Sequence, residues 1–162
     1  MRNREIYKEA KDLGICKEWA TRLKNASEKQ MAKMFFTGSD WAFENNFPTI
    51  ELLEKHPNAM KYGLHLDADH ETFDGLEHLA FFGKSTANVL LHNFEVAEVF
   101  VRHNSEIFID AKNHAIVDVM LEDNARIEVQ KDDTARVSVW VYSENAQALG
   151  NMTKKTHCKY EL

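Results

Sequence analysis

Eight histidines in a chain of 162 residues make metal ligation the first chemistry to consider. In the segment His65-Leu66-Asp67-Ala68-Asp69-His70, an extended backbone would put His65, Asp67 and Asp69 on one face. That mixed nitrogen and oxygen set could hold a divalent ion. Alternating polar side chains are equally what a solvated strand edge carries, and the edge is the preferred reading. His92, His103 and His114 recur every eleven residues, at turns. In a two-strand coil His103 would lie opposite the other two, so the three read as polar corner residues. Other chemistry is missing from the sequence. It contains no phosphate-binding loop, dinucleotide fingerprint, Gly-x-Ser-x-Gly elbow or Cys-x-x-Cys pair. The two cysteines, Cys16 and Cys158, read as bystanders and exclude a disulfide framework. The expectation is therefore a non-enzymatic protein with no catalytic residues and no cofactor.

The elements that would carry any site differ between the two ends of the chain. From residue 85 onward a strand–turn unit repeats. Small residues at Ala87, Ala97, Ser105, Ala115, Ala125, Ala135 and Ala146 fall at steps of 10, 8, 10, 10, 10 and 11. Apolar residues follow at offsets of two and four: Val89/Leu91, Val99/Val101, Ile107/Ile109, Val117/Val119, Ile127/Val129 and Val137/Val139. Turn-formers such as His92-Asn93, Lys112-Asn113 and Asp123-Asn124 separate the units. Two-residue alternation of β-branched residues means strands with one face buried. The expected fold class is α+β: an N-terminal helical bundle followed by a β-solenoid of about ten-residue units, two per coil. An antiparallel meander or sandwich is the alternative. A meander has no reason to keep one corner residue small, whereas a coil does. Asn recurring before that corner fits side-chain ladders and left-handed backbone.

Residues 1–60 read as short helices. Ile6, Ala10 and Leu13 recur at helical spacing before Gly14. A second helix begins at Lys17. Ser27 with Gln30 reads as a capping box for a third, which Gly38 and Ser39 break or kink before Trp41. Phe47-Pro48 ends that run, and Thr49 caps a further helix that stops near His56-Pro57. The expected organisation is residues 1–60 helical, 61–84 a connector and cap, 85–150 repeats, and 151–162 a tail or last strand.

Charge narrows the partner classes. Residues 1–60 carry a balance of +1 and residues 61–162 one of −7, within a net −6. An acidic second part repels phosphate and argues against direct nucleic-acid binding. It favours a basic protein partner, or solubility alone. No apolar run approaches the roughly 18 residues of a membrane span, and no secretory leader is read at the start. The coil geometry sets Arg102, Met120 and Trp140 in one outward column with Tyr142 beyond. Arginine with aromatic residues is a frequent hot-spot composition, so these four are the candidate partner-binding residues.

Several stretches carry a family likeness: Gly14-Ile15-Cys16 with Trp19, Asn46-Phe47-Pro48, Leu79-Ala80-Phe81-Phe82-Gly83, Val101-Arg102-His103-Asn104 and Asn124-Ala125-Arg126-Ile127. In these the chain resembles small uncharacterised proteins encoded by phages and prophages of Bacteroidetes. The resemblance implies a cytoplasmic protein acting on host or phage machinery, and it assigns no catalytic residues. The expected function is thus a protein-binding module, in one form an anti-defence inhibitor that offers an acidic surface to a basic, nuclease-like host protein. Self-association as a structural or assembly module, giving a homo-oligomer, is a second reading. A metal enzyme using His65, Asp67 and Asp69 is a third.

Overall fold

A computed structural model describes residues 3–156. The chain divides into two compact units, Met1–Leu64 and His65–Leu162. The first holds helices α1 (Asn3–Asp12), α2 (Lys17–Leu23), α3 (Glu28–Thr37), α4 (Ser39–Glu44) and α5 (Ile50–Glu54), then a 3-10 helix over Pro57–Tyr62. Local chemistry sets these boundaries. Gly14 takes φ 81°, and Ile15 N–H closes on Ala10 O at 3.0 Å to stop α1. At α3 the Gln30 N–H donates to Ser27 Oγ at 3.3 Å, while Ser27 N–H donates to Gln30 Oε1 at 2.8 Å. Thr49 caps α5 through Leu52 N–H and is itself tied to α1, its hydroxyl donating to Glu9 Oε2 at 3.2 Å. Ile6, Ala10, Leu23, Phe35, Phe43, Leu52 and Leu53 form the buried face. The 3-10 turn was not read in the sequence. Pro57 ends α5 and yet supplies the fixed φ that starts a new turn.

The second part of the chain is a parallel β-solenoid. Its strands are β1 (Leu64–Leu66), β2 (Asp69–Asp74), β3 (His78–Phe82), β4 (Thr86–Leu91), β5 (Val96–Val101), β6 (Glu106–Ala111), β7 (Ile116–Leu121), β8 (Arg126–Lys131), β9 (Arg136–Val141), β10 (Gln147–Gly150) and β11 (Thr153–Thr156). Odd strands form one sheet in the order β1-β3-β5-β7-β9-β11, and even strands the other, β10-β8-β6-β4-β2. The registered pairs are parallel, which excludes the meander. The stacked strands begin at β1, ahead of residue 85, so part of the stretch read as a connector is already coil. At the other end β11 is a last strand, and residues 157–162 of the expected tail lie outside the described residues.

The register is twenty residues: Thr86 pairs Glu106, which pairs Arg126, and Val96 pairs Ile116, which pairs Arg136. This corrects the first two repeat units. The corner positions are Ser85 and Glu95, followed by Ser105, Ala115, Ala125, Ala135 and Ala146. Ala87 and Ala97 are instead the first inward residues of β4 and β5, and both lie in the core. A small residue is compatible with either position, so the step of eight was an artefact of anchoring on alanine alone. Inside, Val89, Ile109 and Val129 stack in one column and Val99, Val119 and Val139 in another, all with almost no exposure.

The corners are held by vertical ladders. Asp67, Gly83, His103 and Asp123 occupy one left-handed column, with φ of 51°, 70°, 57° and 59°. Lys84 N–H donates to Asp67 Oδ1 at 2.7 Å, Gly83 N–H to His103 Nδ1 at 3.1 Å, and His103 N–H to Asp123 Oδ2 at 3.0 Å. Each side chain binds a backbone donor of the neighbouring coil, which offsets the cost of about 1–2 kcal/mol for a non-glycine residue in that conformation. Gly83 cannot be replaced cheaply, because a Cβ there would collide with the Asp67 carboxylate. The expected asparagine ladders are present, with Asn124 Nδ2 donating to Asn104 Oδ1 at 3.1 Å and Asn113 Nδ2 to Asn93 Oδ1 at 3.5 Å.

If inward stacking stabilises the coil, Ile127→Ala should cost about 2–5 kcal/mol in urea unfolding. Its outward neighbour Glu128→Ala should stay within about 0.5 kcal/mol.

Candidate functional site

The proposed metal face does not form. Strand β1 ends at Leu66, and Asp67 turns left-handed, so the two-residue alternation breaks there. His65 points into the coil, with ring centroids 4.4 Å from Phe73 and 5.5 Å from Phe81. Asp67 is engaged by Lys84 N–H, while Asp69 projects into solvent beside His70. His65 is 6% exposed, and neither ring nitrogen has a hydrogen-bond partner. Burial depresses its pKa to about 4, so the ring is neutral across the physiological range. His92, His103 and His114 lie at corners, as read from their spacing. His103 accepts through Nδ1, and burial followed by the Arg102 charge keeps it below the ordinary imidazole range.

A different trio does converge. Ligand atoms of Asp74, His92 and Glu95 lie within 4.8 Å of one another. His92 Nε2 is 3.4 Å from Asp74 Oδ1, and His92 N–H donates to Glu95 Oε2 at 2.7 Å. Among the described residues this is the set that could hold a divalent ion. Its signal in the sequence is Glu95, a carboxylate in a corner position that is otherwise Ser or Ala. Gly75 accommodates it: a Cβ at Gly75 would lie 2.9 Å from Glu95 Oε1.

The expected partner column needs correction as well. The twenty-residue register stacks Phe100, Met120 and Trp140, and it sets Arg102 in the next column over, opposite Glu122. Arg102 is 2% exposed. Its Nη2 is 2.9 Å from Glu122 Oε2 and its Nε is 3.9 Å from Asp123 Oδ2. Burial pulls the guanidinium below its usual range, and the Asp123 charge opposes that. Arg102 therefore closes a corner and is not offered to a partner. Met120, Trp140 and Tyr142 are half-buried. Strand β11 adds a rung beside β9 and lays Lys155 Nζ 4.4 Å over the Trp140 ring. The expected four-residue column is therefore not assembled, and that face of Trp140 is taken by the protein's own lysine.

The exposed apolar surface lies one edge away. Leu76 (46% exposed), Val96 (55%) and Ile116 (40%) occupy successive coils, with Val96 and Ile116 in direct register. Phe94, at 73%, stands at the adjoining turn and stacks on His114 with 4.8 Å between centroids. The neighbouring column is His78, Glu98 and Asp118. Anchoring on Ala97 concealed this stripe from the sequence reading by moving Val96 and Ile116 out of line.

Comparison with known proteins gives no match to a family model, a curated protein or a solved structure. Among the described residues no helix is long and apolar enough to cross a membrane. Cys16 is exposed, and Cys158 lies outside the described residues.

Two outcomes follow from the buried charges. His65 titrates at about 4 in the fold against 6.5 ordinarily, so the unfolded chain takes up more protons as pH falls. Its contribution is complete above about pH 6.5 and fades toward pH 4, by about 3 kcal/mol. Chemical denaturation across that window should show a shallower decline in His65→Phe. Arg102→Ala should cost about 3–5 kcal/mol by leaving Glu122 buried and uncompensated, whereas replacing both residues by methionine should recover most of that loss.

Proposed function

We propose that this protein is a non-enzymatic binding module whose solenoid captures a basic protein surface along the Leu76–Val96–Ile116 stripe. The observation that carries the reading is the pairing of that apolar column with a stacked acidic one. Exposed aliphatic residues forgo the gain of burial, roughly 25 cal/mol for each Å² left in water. Glu98 stacks directly on Asp118, a like-charge neighbour pair that destabilises a sheet. Glu98 has His78 Nε2 3.6 Å away on its other side, while Asp118 is followed by Ser138; elsewhere opposite charges stack directly, as where Glu106 meets Arg126. Two costs on adjacent columns are what a docking surface requires: an apolar centre to bury and carboxylates to steer a cationic partner.

Nucleic-acid-processing proteins supply such a partner, because the lysines and arginines that read phosphate also accept a carboxylate row. With the likeness to phage-encoded proteins, this extends the proposal to an anti-defence inhibitor acting in the bacterial cytoplasm. Self-association is the weaker reading. Lys154 and Lys155 lie on β11, the last strand in its sheet order, and charged edge strands oppose pairing between copies.

Affinity capture from bacterial lysate, washed at low and high salt, tests the proposal. The expected result is a basic protein released by salt and lost at least tenfold from Ile116→Arg, with Trp140→Ala retaining it. Capture unchanged in Ile116→Arg, or no salt-sensitive partner, contradicts it. Light scattering should report a monomer at all concentrations.

A further inference from the structure

The helical unit holds a partly open cavity of about 340 Å³. Trp19 from α2, Met31 and Met34 from α3 and Trp41 from α4 make most of its wall apolar. Cys16, Glu28, Asp40 and His56 are the ionisable side chains that also line it. His56, between α5 and the 3-10 helix, is 3% exposed, and neither of its ring nitrogens has a hydrogen-bond partner. The nearest carboxylate oxygen, Glu28 Oε1, stands 3.6 Å from His56 Nδ1, beyond hydrogen-bonding distance. The main chain that carries the ring is held at both sides: His56 N–H donates to Leu53 O and His56 O accepts from Ala59 N–H, both at 2.9 Å.

A buried imidazole with no hydrogen-bond partner is costly, and native proteins seldom leave one unsatisfied. A cavity this large and apolar is of ligand-binding size. We infer that the helical unit binds a small aromatic or similarly compact apolar molecule that carries one hydrogen-bond-donating head, seated on His56 and Glu28. The size follows from volume. An apolar cavity of about 150 Å³ accommodates a single benzene ring, so this one fits roughly two fused rings. The head group follows from charge. A hydroxyl can donate to an imidazole nitrogen or to the Glu28 carboxylate, whereas an anionic head would meet that carboxylate at close range and be repelled. The two methionines add a wall that adapts to ligand shape. This inference concerns the helical unit alone and does not depend on the partner surface of the solenoid.

The probes are 1-naphthol, naphthalene and 1-naphthoate, added to the full chain. Binding is followed through the indole N–H resonances of Trp19 and Trp41, with Trp140 as the internal control. The expected result is saturable shifts at Trp19 and Trp41 alone, with 1-naphthol at least tenfold tighter than either of the others. In His56→Phe, 1-naphthol should fall to within about twofold of naphthalene. In Glu28→Gln, 1-naphthoate should gain several-fold. Met31→Trp, which fills the cavity, should abolish all three. Absence of shifts at millimolar probe, equal affinity for 1-naphthol and naphthalene in the unaltered chain, or a preference for 1-naphthol that survives His56→Phe would each overturn the inference. The last result stands even if Met31→Trp fails to fold.

Discussion

From β3 to β9 each coil repeats the backbone path of the one before it, twenty residues on, and hydrogen-bonds to it along both sheets. Parallel strands have no short hairpin to fix their register, so the corners must do it. Here they do so through side chains that bind the neighbouring coil's backbone, as Asp67, His103 and Asp123 do. Once the vertical register is set, every outward column is set with it. A slip of one residue would turn Val119 and Ile127 toward solvent, so the core and the surface are fixed by the same bonds.

That coupling explains where function can reside. From β4 onward the inward positions are committed to Val, Ile, Leu and Ala, and most corner positions to small or ladder-forming residues. Only outward positions and turn tips are free to vary. The departures from a plain soluble solenoid cluster on one edge: the aliphatic column Leu76, Val96 and Ile116, Phe94 beside it, the stacked Glu98 and Asp118, and Glu95 in a corner meant for a small residue. The opposite edge, with Arg102 buried against Glu122, is structural. Both edges are rich in charge, and what separates them is burial: Arg102 and Glu122 pair inside the fold, whereas the Glu98 and His78 side chains are about half exposed.

The solenoid was legible because a ten-residue unit of alternating β-branched residues admits few other structures. The capping box at Ser27 and Gln30 and the break at Gly38 were equally plain, since each is local chemistry. The site was harder to read. A column is a relation between residues twenty apart, and one misplaced anchor at Ala97 shifted Arg102 against Met120 and Trp140. The stacking of Lys155 on Trp140 depends on a strand of Thr and Lys with little hydrophobic pattern. The inward turn of His65 depends on a left-handed Asp67, which no periodicity announces. The Asp74, His92 and Glu95 group joins residues from two coils, and its one local trace is an acid where the repeat calls for a small side chain.

The most direct test of this account is scalar coupling across hydrogen bonds, measured by NMR between backbone nitrogen and carbonyl carbon. The account predicts couplings from Ile116 N to Glu95 C′, from Arg126 N to Ser105 C′ and from Arg136 N to Ala115 C′. Couplings two residues out of step, or none between successive coils, would contradict the register and remove the exposed stripe that depends on it.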